Sequence, residues 1–217
     1  MATYCVVGTD TDVGKTVFTG LFANYLQDQN RKVITQKWVQ TGCDSAQTAP
    51  DIQAHNRLMG VEAEPNDNIQ RAQCPYRFML PASAHLAAQK EGKQVDINRI
   101  TMSLQVLEQA YDDVIVEGLG GVLAPLTPTM TFLDLLEQLK LETIIVVKNK
   151  VGAINHALLT IEALASRHIP IKGFVCNTVD STLDPDVKKD NPLIIQQLSG
   201  VSLIASLGPE QQVEWLF

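Results

Sequence analysis

The residues with the clearest chemical capacity lie near the start of the chain. A short apolar run, Cys5-Val6-Val7, leads into Gly8, a polar loop from Thr9 to Val13, and then Gly14-Lys15-Thr16. Beyond it Val17, Leu21, Phe22, Tyr25 and Leu26 keep helical spacing. Strand, glycine-bounded loop, Gly-Lys-Thr and helix form an arrangement in which backbone N–H groups converge on one point. The helix dipole favours negative charge at that point, which makes it a phosphate cradle. Lys15 is placed to reach the terminal phosphates of a nucleotide, and the Thr16 hydroxyl to ligate Mg²⁺. The usual motif has four residues between its first glycine and Gly-Lys-Thr, whereas five follow Gly8 here. Either the loop is one residue longer, or Thr9 holds the place of the first glycine.

Further along, Asp112-Asp113-Val114-Ile115-Val116 reads as a buried strand that ends in Glu117 and the glycine-rich run Gly118-Leu119-Gly120-Gly121. An acidic residue at that place in a phosphate-loop protein helps hold Mg²⁺, and the glycines let backbone N–H groups come close to a ligand. Lys37 stands where the strand Lys32 to Gln36 ends, either at the mouth of the sheet or simply as a solvated lysine. Asp51, next to Pro50, heads a helix-like stretch from Ile52 to Met59 and serves as a cap or a metal ligand. Gly152-Ala153-Ile154-Asn155-His156 opens another helix, whose free N–H groups suit an anion such as a carboxylate unless Asn155 only caps it.

The elements that must position these groups alternate between strand and helix. Helices are expected over 81–89, 97–110, 131–140, 157–167 and 192–198, with strands over 143–147, 170–176 and 201–206. Residues 61–75 show no convincing period, and no element is expected in the tail. Apolar strands without polar alternation, set between helices, specify an α/β fold, a doubly wound and mainly parallel sheet flanked by helices. One domain over residues 1–217 is expected.

Composition narrows the function classes. With 45% hydrophobic and 19% charged residues the chain reads as a globular enzyme. A net charge of −7 argues against nucleic acid or an anionic membrane as the main partner. The start has no leader pattern, and no apolar run is long enough to span a bilayer. The four cysteines form no Cys-x-x-Cys pair, so neither a zinc site nor a disulfide framework is expected, and a reduced cytoplasmic setting is.

Together these pieces resemble the dethiobiotin synthetases, the ATP-dependent carboxylase-cyclases of biotin synthesis, over nearly the whole chain. Gly8-Thr9-Asp10-Thr11-Asp12-Val13-Gly14-Lys15-Thr16 is similar to the family's G-T-D-T-[ED]-V-G-K-T, extra loop residue included. Lys37-Trp38-Val39-Gln40-Thr41-Gly42 resembles K-P-V-x-[ST]-G, with Trp38 for the usual proline. Val116 to Gly121 resembles V-E-G-A-G-G with Leu119 for alanine, and Gly152 to His156 is similar to G-x-I-N-H. The resemblance implies a P-loop NTPase fold, ATP and Mg²⁺ as cofactors, and 7,8-diaminopelargonate and CO₂ or bicarbonate as substrates. It implies Lys15, Lys37 and Thr11 as catalytic residues, with Thr41 and Thr11 on the carbamate end of the diamine. Thr16, Asp51 and Glu117 would gather Mg²⁺. Nucleotide contacts would come from Asp12, Val13, Gly14, Val17, Gly118, Leu119, Gly120, Asn177, Thr178, Gly208, Pro209 and Glu210. Gly152, Ala153, Ile154 and Asn155 would receive the substrate carboxylate from a neighbouring subunit, which implies a homodimer. The rival reading is a partition or septum-placing P-loop ATPase. Such proteins carry an extra loop lysine in K-G-G-x-G-K-T, where this chain has Asp10, Thr11 and Asp12.

Overall fold

The computed structural model describes residues 1–45, 49–61, 65–180 and 182–216. From β1 (Ala2–Gly8) the chain passes through α1 (Lys15–Gln27), β2 (Val33–Lys37), β3 (Val39–Gln40), α2 (Pro50–Leu58), α3 (Asp67–Gln73), β4 (Tyr76–Arg77), α4 (Ala84–Lys90) and α5 (Ile97–Ala110). It continues with β5 (Asp113–Gly121), β6 (Pro125–Thr127), β7 (Met130–Thr131), α6 (Phe132–Leu139), β8 (Glu142–Lys148), α7 (Ala153–Ser166), β9 (Ile171–Asn177), α8 (Pro185–Ser199), β10 (Leu203–Leu207) and β11 (Val213–Trp215).

The main sheet has seven strands in the order β11-β10-β9-β8-β1-β5-β2, parallel except for β11. Its side chains alternate between two packed faces, as the period of two in a strand requires. Cys5, Val7, Val114, Val116, Ile145 and Val147 meet α5, α6 and α7 in one buried cluster, while Val6, Ile115, Ile144 and Val146 meet Phe18, Phe22 and Leu26 of α1 in the other. This is the doubly wound sheet expected from the sequence. The strands β1, β5 and β2 lie side by side, so the loops leaving their carboxyl ends share one rim of the sheet, where α/β proteins bind ligands.

Three segments differ from the sequence expectation. Within 61–75, the described residues include α3, whose cap Asn66 accepts from Ile69 N at 3.1 Å. With seven residues and a buried apolar contribution of Ile69 and Ala72, α3 is too short to show a period. Helix α8 starts at Pro185, not Pro192, because Asp184 caps it by accepting from Asp186 N at 2.8 Å. Pro192 then falls inside the helix and deprives the Lys188 carbonyl of its donor, and Asn149 Nδ2 supplies one at 3.0 Å. The tail forms β11, antiparallel to β10 with Ala205 opposite Trp215. The four cysteines are free and buried, and no helix among the described residues is long and apolar enough to cross a membrane.

Candidate active site

The loop between β1 and α1 closes tightly on itself. A Cβ on Gly8 would lie 2.9 Å from both Asp10 O and Lys15 Nζ, so Gly8 is the first glycine of the motif and the loop is one residue longer than usual. Thr11 N donates to Asp10 Oδ1 at 2.8 Å, and Asp12 takes a left-handed backbone with φ of 54°. Gly14 has φ of 102° and caps α1 with no side-chain acceptor, which leaves the first helical N–H groups open to an anion.

Two lysines enter the cavity above this loop. Lys15 Nζ donates to Asp10 O at 2.8 Å and to Gly120 O at 3.0 Å. Burial, helped by the charge of Lys37, pulls its pKa down to about 8. Lys37, the last residue of β2, donates to Glu117 Oε1 at 2.7 Å and to Gly118 O at 3.1 Å, and pairs with Asp51 Oδ2 at 2.8 Å. Burial opposes its charge, but the carboxylates of Glu117 and Asp51 outweigh it and hold its pKa above the ordinary lysine value. Lys37 is only 6% exposed, so it is no solvated strand-end residue.

Glu117 is the hub. Burial pushes its carboxyl up, and Lys37 and His55 overcome this to hold it well below the usual carboxylate range. Oε1 accepts from Thr16 Oγ1 at 3.0 Å as well as from Lys37, while Oε2 lies 2.7 Å from His55 Nε2. Regular pairing of β5 with β1 and β2 runs to Glu117, opposite Val6 and Lys37; the strand then bulges over Gly118 to Gly120 before Gly121 meets Gly8. Asp51 is no cap either. Ala49 occupies that position and Pro50 the first turn, which leaves the Asp51 carboxylate to Lys37. Thr16 Oγ1, Asp51 and Glu117 form a hard-oxygen set. That fits Mg²⁺, which takes one or two carboxylates and completes its shell with water and phosphate. Among the described residues no cluster of three or more His, Cys, Asp or Glu suited to a metal occurs.

Thr11, Asp12, Gly14, Lys15, Thr16, Val17, Lys37, Thr41, Asp51, Glu117, Leu119 and Gly120 line one cavity of about 510 Å³. Val13 is buried beneath the loop, and Gly118 lends its carbonyl to Lys37. Asn177 Nδ2 donates to Val13 O at 2.8 Å, tying the end of β9 to the phosphate loop. Thr178 N donates to Leu207 O at 2.8 Å, so Gly208, Pro209 and Glu210, which follow β10, leave the sheet beside it. Gly152, Ala153, Ile154 and Asn155 begin α7 and do not line the cavity. Trp38 turns into the core, 5.1 Å from Phe132 between ring centres, with its Nε1 on Gln36 Oε1 at 2.9 Å. Sequence reasoning missed His55 as a member of the site. Its signal was its position four residues after Asp51, on the same face of α2.

The parallel sheet, the glycine-bounded loop and the lysine-carboxylate cluster at its rim define a P-loop nucleotide-binding α/β protein. A family model described as an AAA domain matches residues 2–216. The chain belongs to the ATP-dependent dethiobiotin synthetase family. It is 42% identical to the ATP-dependent dethiobiotin synthetase BioD of Chlorobaculum tepidum over 172 residues, 79% of this chain and 71% of that one. The BioD 2 enzyme of Haemophilus influenzae is 39% identical, over 79% of this chain and 88% of its own. BioD of Lysinibacillus sphaericus is 36% identical over 95% and 92%. Among solved structures, the MinD cell division protein of Aquifex aeolicus superposes with a TM-score of 0.59 at 16% identity, over 97% of this chain and 83% of that one. A ParA family ATPase from Chlorobium tepidum gives 0.60 at 15%, over 97% and 85%. At such identities these two likenesses concern the fold alone.

Proposed function

We propose that the protein is an ATP-dependent ligase that carboxylates 7,8-diaminopelargonate and closes the ureido ring of dethiobiotin, releasing ADP and phosphate. The observation that carries this reading is the convergence of two buried lysines, from α1 and β2, on one cavity whose floor is Glu117. The rival switches carry their second lysine in the phosphate loop, whereas here it comes from the neighbouring strand β2.

One amine of the diamine attacks CO₂ and loses a proton, giving a carbamate. A carbamate oxygen then attacks the γ-phosphorus in line, and the bond to ADP breaks. The second amine attacks the activated carbonyl, forms the second C–N bond and expels phosphate. Lys15 and Lys37 hold the negative charge that carbamate and phosphate share, which is how positioning and electrostatics catalyse phosphoryl transfer. Thr11 and Thr41 orient the carbamate end. Mg²⁺ held by Thr16, Asp51 and Glu117 would neutralise the phosphate oxygens. Asn177, Thr178 and Gly208 to Glu210 surround the base of the nucleotide, with Asp12, Val13, Gly14, Val17, Gly118, Leu119 and Gly120 along its phosphates. As the family resemblance implies, Gly152 to Asn155, which stand outside this cavity, serve the active site of a second copy, where they receive the distal carboxylate of the substrate. The enzyme is therefore read as a cytoplasmic homodimer.

The test is to incubate the protein with bicarbonate, Mg²⁺ and ATP, with and without 7,8-diaminopelargonate. Phosphate release that requires the diamine, together with dethiobiotin identified by mass, is the expected result. Release indifferent to the diamine would replace this reading with that of a switch.

A further inference from the structure

A second cavity, of about 410 Å³, opens against β4, the strand that pairs with β3. Four cations line it, Arg71, Arg77, Lys93 and Arg99, and no carboxylate does. In a chain with a net charge of −7, such a grouping is the opposite of what composition would place there. Lys93 is offset by Glu91 at 2.8 Å, but Arg71, Arg77 and Arg99 have no ion pair among the described residues. Arg77 donates from Nη2 to Gln70 O at 3.2 Å, and its Nε is buried without a hydrogen-bond partner. The Cys74 thiol also lies against the Arg77 side chain, so Arg77 is held at the cavity wall by uncharged partners and its positive charge is not neutralised there.

The base of the cavity is aromatic. Tyr76 and Phe78 are buried and stacked, with ring centres 6.1 Å apart. The Arg99 guanidinium lies 4.7 Å over Tyr76, and Lys93 Nζ 5.7 Å over Phe78. Resting on ring faces, these two cations are held at the cavity instead of trailing into solvent. Guanidinium forks match the paired oxygens of phosphate and carboxylate groups, and the volume suits a small ligand.

We propose that this cavity is a binding site, separate from the nucleotide pocket, for a small molecule carrying two or more anionic groups. Its anionic groups would neutralise Arg71, Arg77 and Arg99, which have no carboxylate beside them in the cavity lining. The site is close to the reaction: Gln40, which lines the nucleotide cavity, pairs with Arg77 across the β3–β4 ribbon, and Gln40 O accepts from Phe78 N at 2.9 Å.

The experiment follows the arginine Nε–Hε signals of the ¹⁵N-labelled full chain by NMR during titration in metal-free buffer. One series uses inorganic pyrophosphate and another tricarballylate, and calorimetry is run in parallel. To keep the phosphate loop from contributing, both are repeated on Lys15→Gln. Saturable shifts of Arg77 and Arg99, retained in Lys15→Gln, are expected. A double variant, Arg71→Gln with Arg99→Gln, replaces only exposed side chains and should weaken binding about tenfold or more. Stronger binding of pyrophosphate would mark the natural ligand as a phosphate ester, and stronger binding of tricarballylate would mark it as a polycarboxylate. The proposal is overturned if neither anion shifts Arg77, if binding vanishes in Lys15→Gln, or if the double variant binds as tightly as the parent.

Discussion

His55 and Lys37 grip Glu117 by different oxygens, each at 2.7 Å. An imidazole that donates from Nε2 leaves Nδ1 bare, and here Nδ1 has no partner. Its contribution is therefore concentrated in the bond to Glu117, which fixes the direction of the other carboxylate oxygen. Exchanging His55 for Leu strands Oε2, at about 1–3 kcal/mol for an unsatisfied buried acceptor. The expected result is a lower Tm and weaker Mn²⁺ binding by electron paramagnetic resonance in the presence of ADP. His55→Gln puts an amide nitrogen near the lost Nε2 and should recover most of both. Equal Mn²⁺ affinity in all three proteins would reduce the ring to a space-filler.

Lys15 carries a pH signature. Its pKa lies near 8 in the fold against the ordinary lysine value of 10.5, so its charge is lost as pH climbs through about 8. Metal-free ADP binding, measured by calorimetry, should weaken above that point, and Lys15→Arg should remove the break. For stability the sign is reversed. Between about 8 and 10.5 the unfolded lysine holds more proton than the folded one, so this residue makes folding more favourable as pH rises across that window. Denaturation midpoints of the parent and Lys15→Gln, compared across it, should diverge in that direction.

At the scale of elements, the phosphate loop tolerates no extra atom at its first glycine. A methyl group on Gly8 would stand 2.8 Å from Val13 Cγ2 and 2.9 Å from Asp10 O. Gly8→Ala should therefore weaken nucleotide binding roughly tenfold or more with little change in circular dichroism, since ~1.4 kcal/mol is enough for that factor. Binding within twofold of the parent would mean that the loop relaxes freely. Residue counting alone left Gly8 and Thr9 as rival first positions; the family motif pointed to Gly8 with an extra loop residue, and the packing of Gly8 against Lys15 agrees. Helix α5 was legible to the residue, since Ile100, Leu104 and Leu107 form its buried stripe. Helix α8 was not, for proline marks a helix start when read alone, and the Asn149 amide that rescues Pro192 comes from a distant strand end. In the same way Lys15, Thr16, Lys37 and Glu117 could be read from their local motifs. His55 offered only its spacing of four from Asp51, because its main partner is a carboxylate 62 positions away.

At the scale of the whole molecule, the proposed homodimer needs a contact face. Asn155 and Leu159 lie four residues apart on the exposed side of α7, and Val151 precedes the helix; Val151 is 82% and Leu159 58% exposed. If this face carries the neighbouring subunit's substrate contacts, Leu159→Asp should give a monomer in sedimentation. Nucleotide binding would persist while dethiobiotin formation falls about tenfold or more, as expected when a buried apolar contact is lost from an interface. A dimer that survives the change would place the interface elsewhere.

The borders of the sheet limit the answer further. Along β2, Gln73 Nε2 donates to Thr35 O at 3.2 Å and Gln36 Nε2 to Ala72 O at 2.9 Å, so α3 lies along that border. At the opposite border β11 is only three residues long. Neither rim offers a long row of vacant peptide groups onto which a foreign strand could dock. In the proposed homodimer the copies would therefore join through helices and loops. Such a contact cannot propagate by sheet extension, and a crowded solution of the protein should yield closed pairs with no ribbons or fibrils.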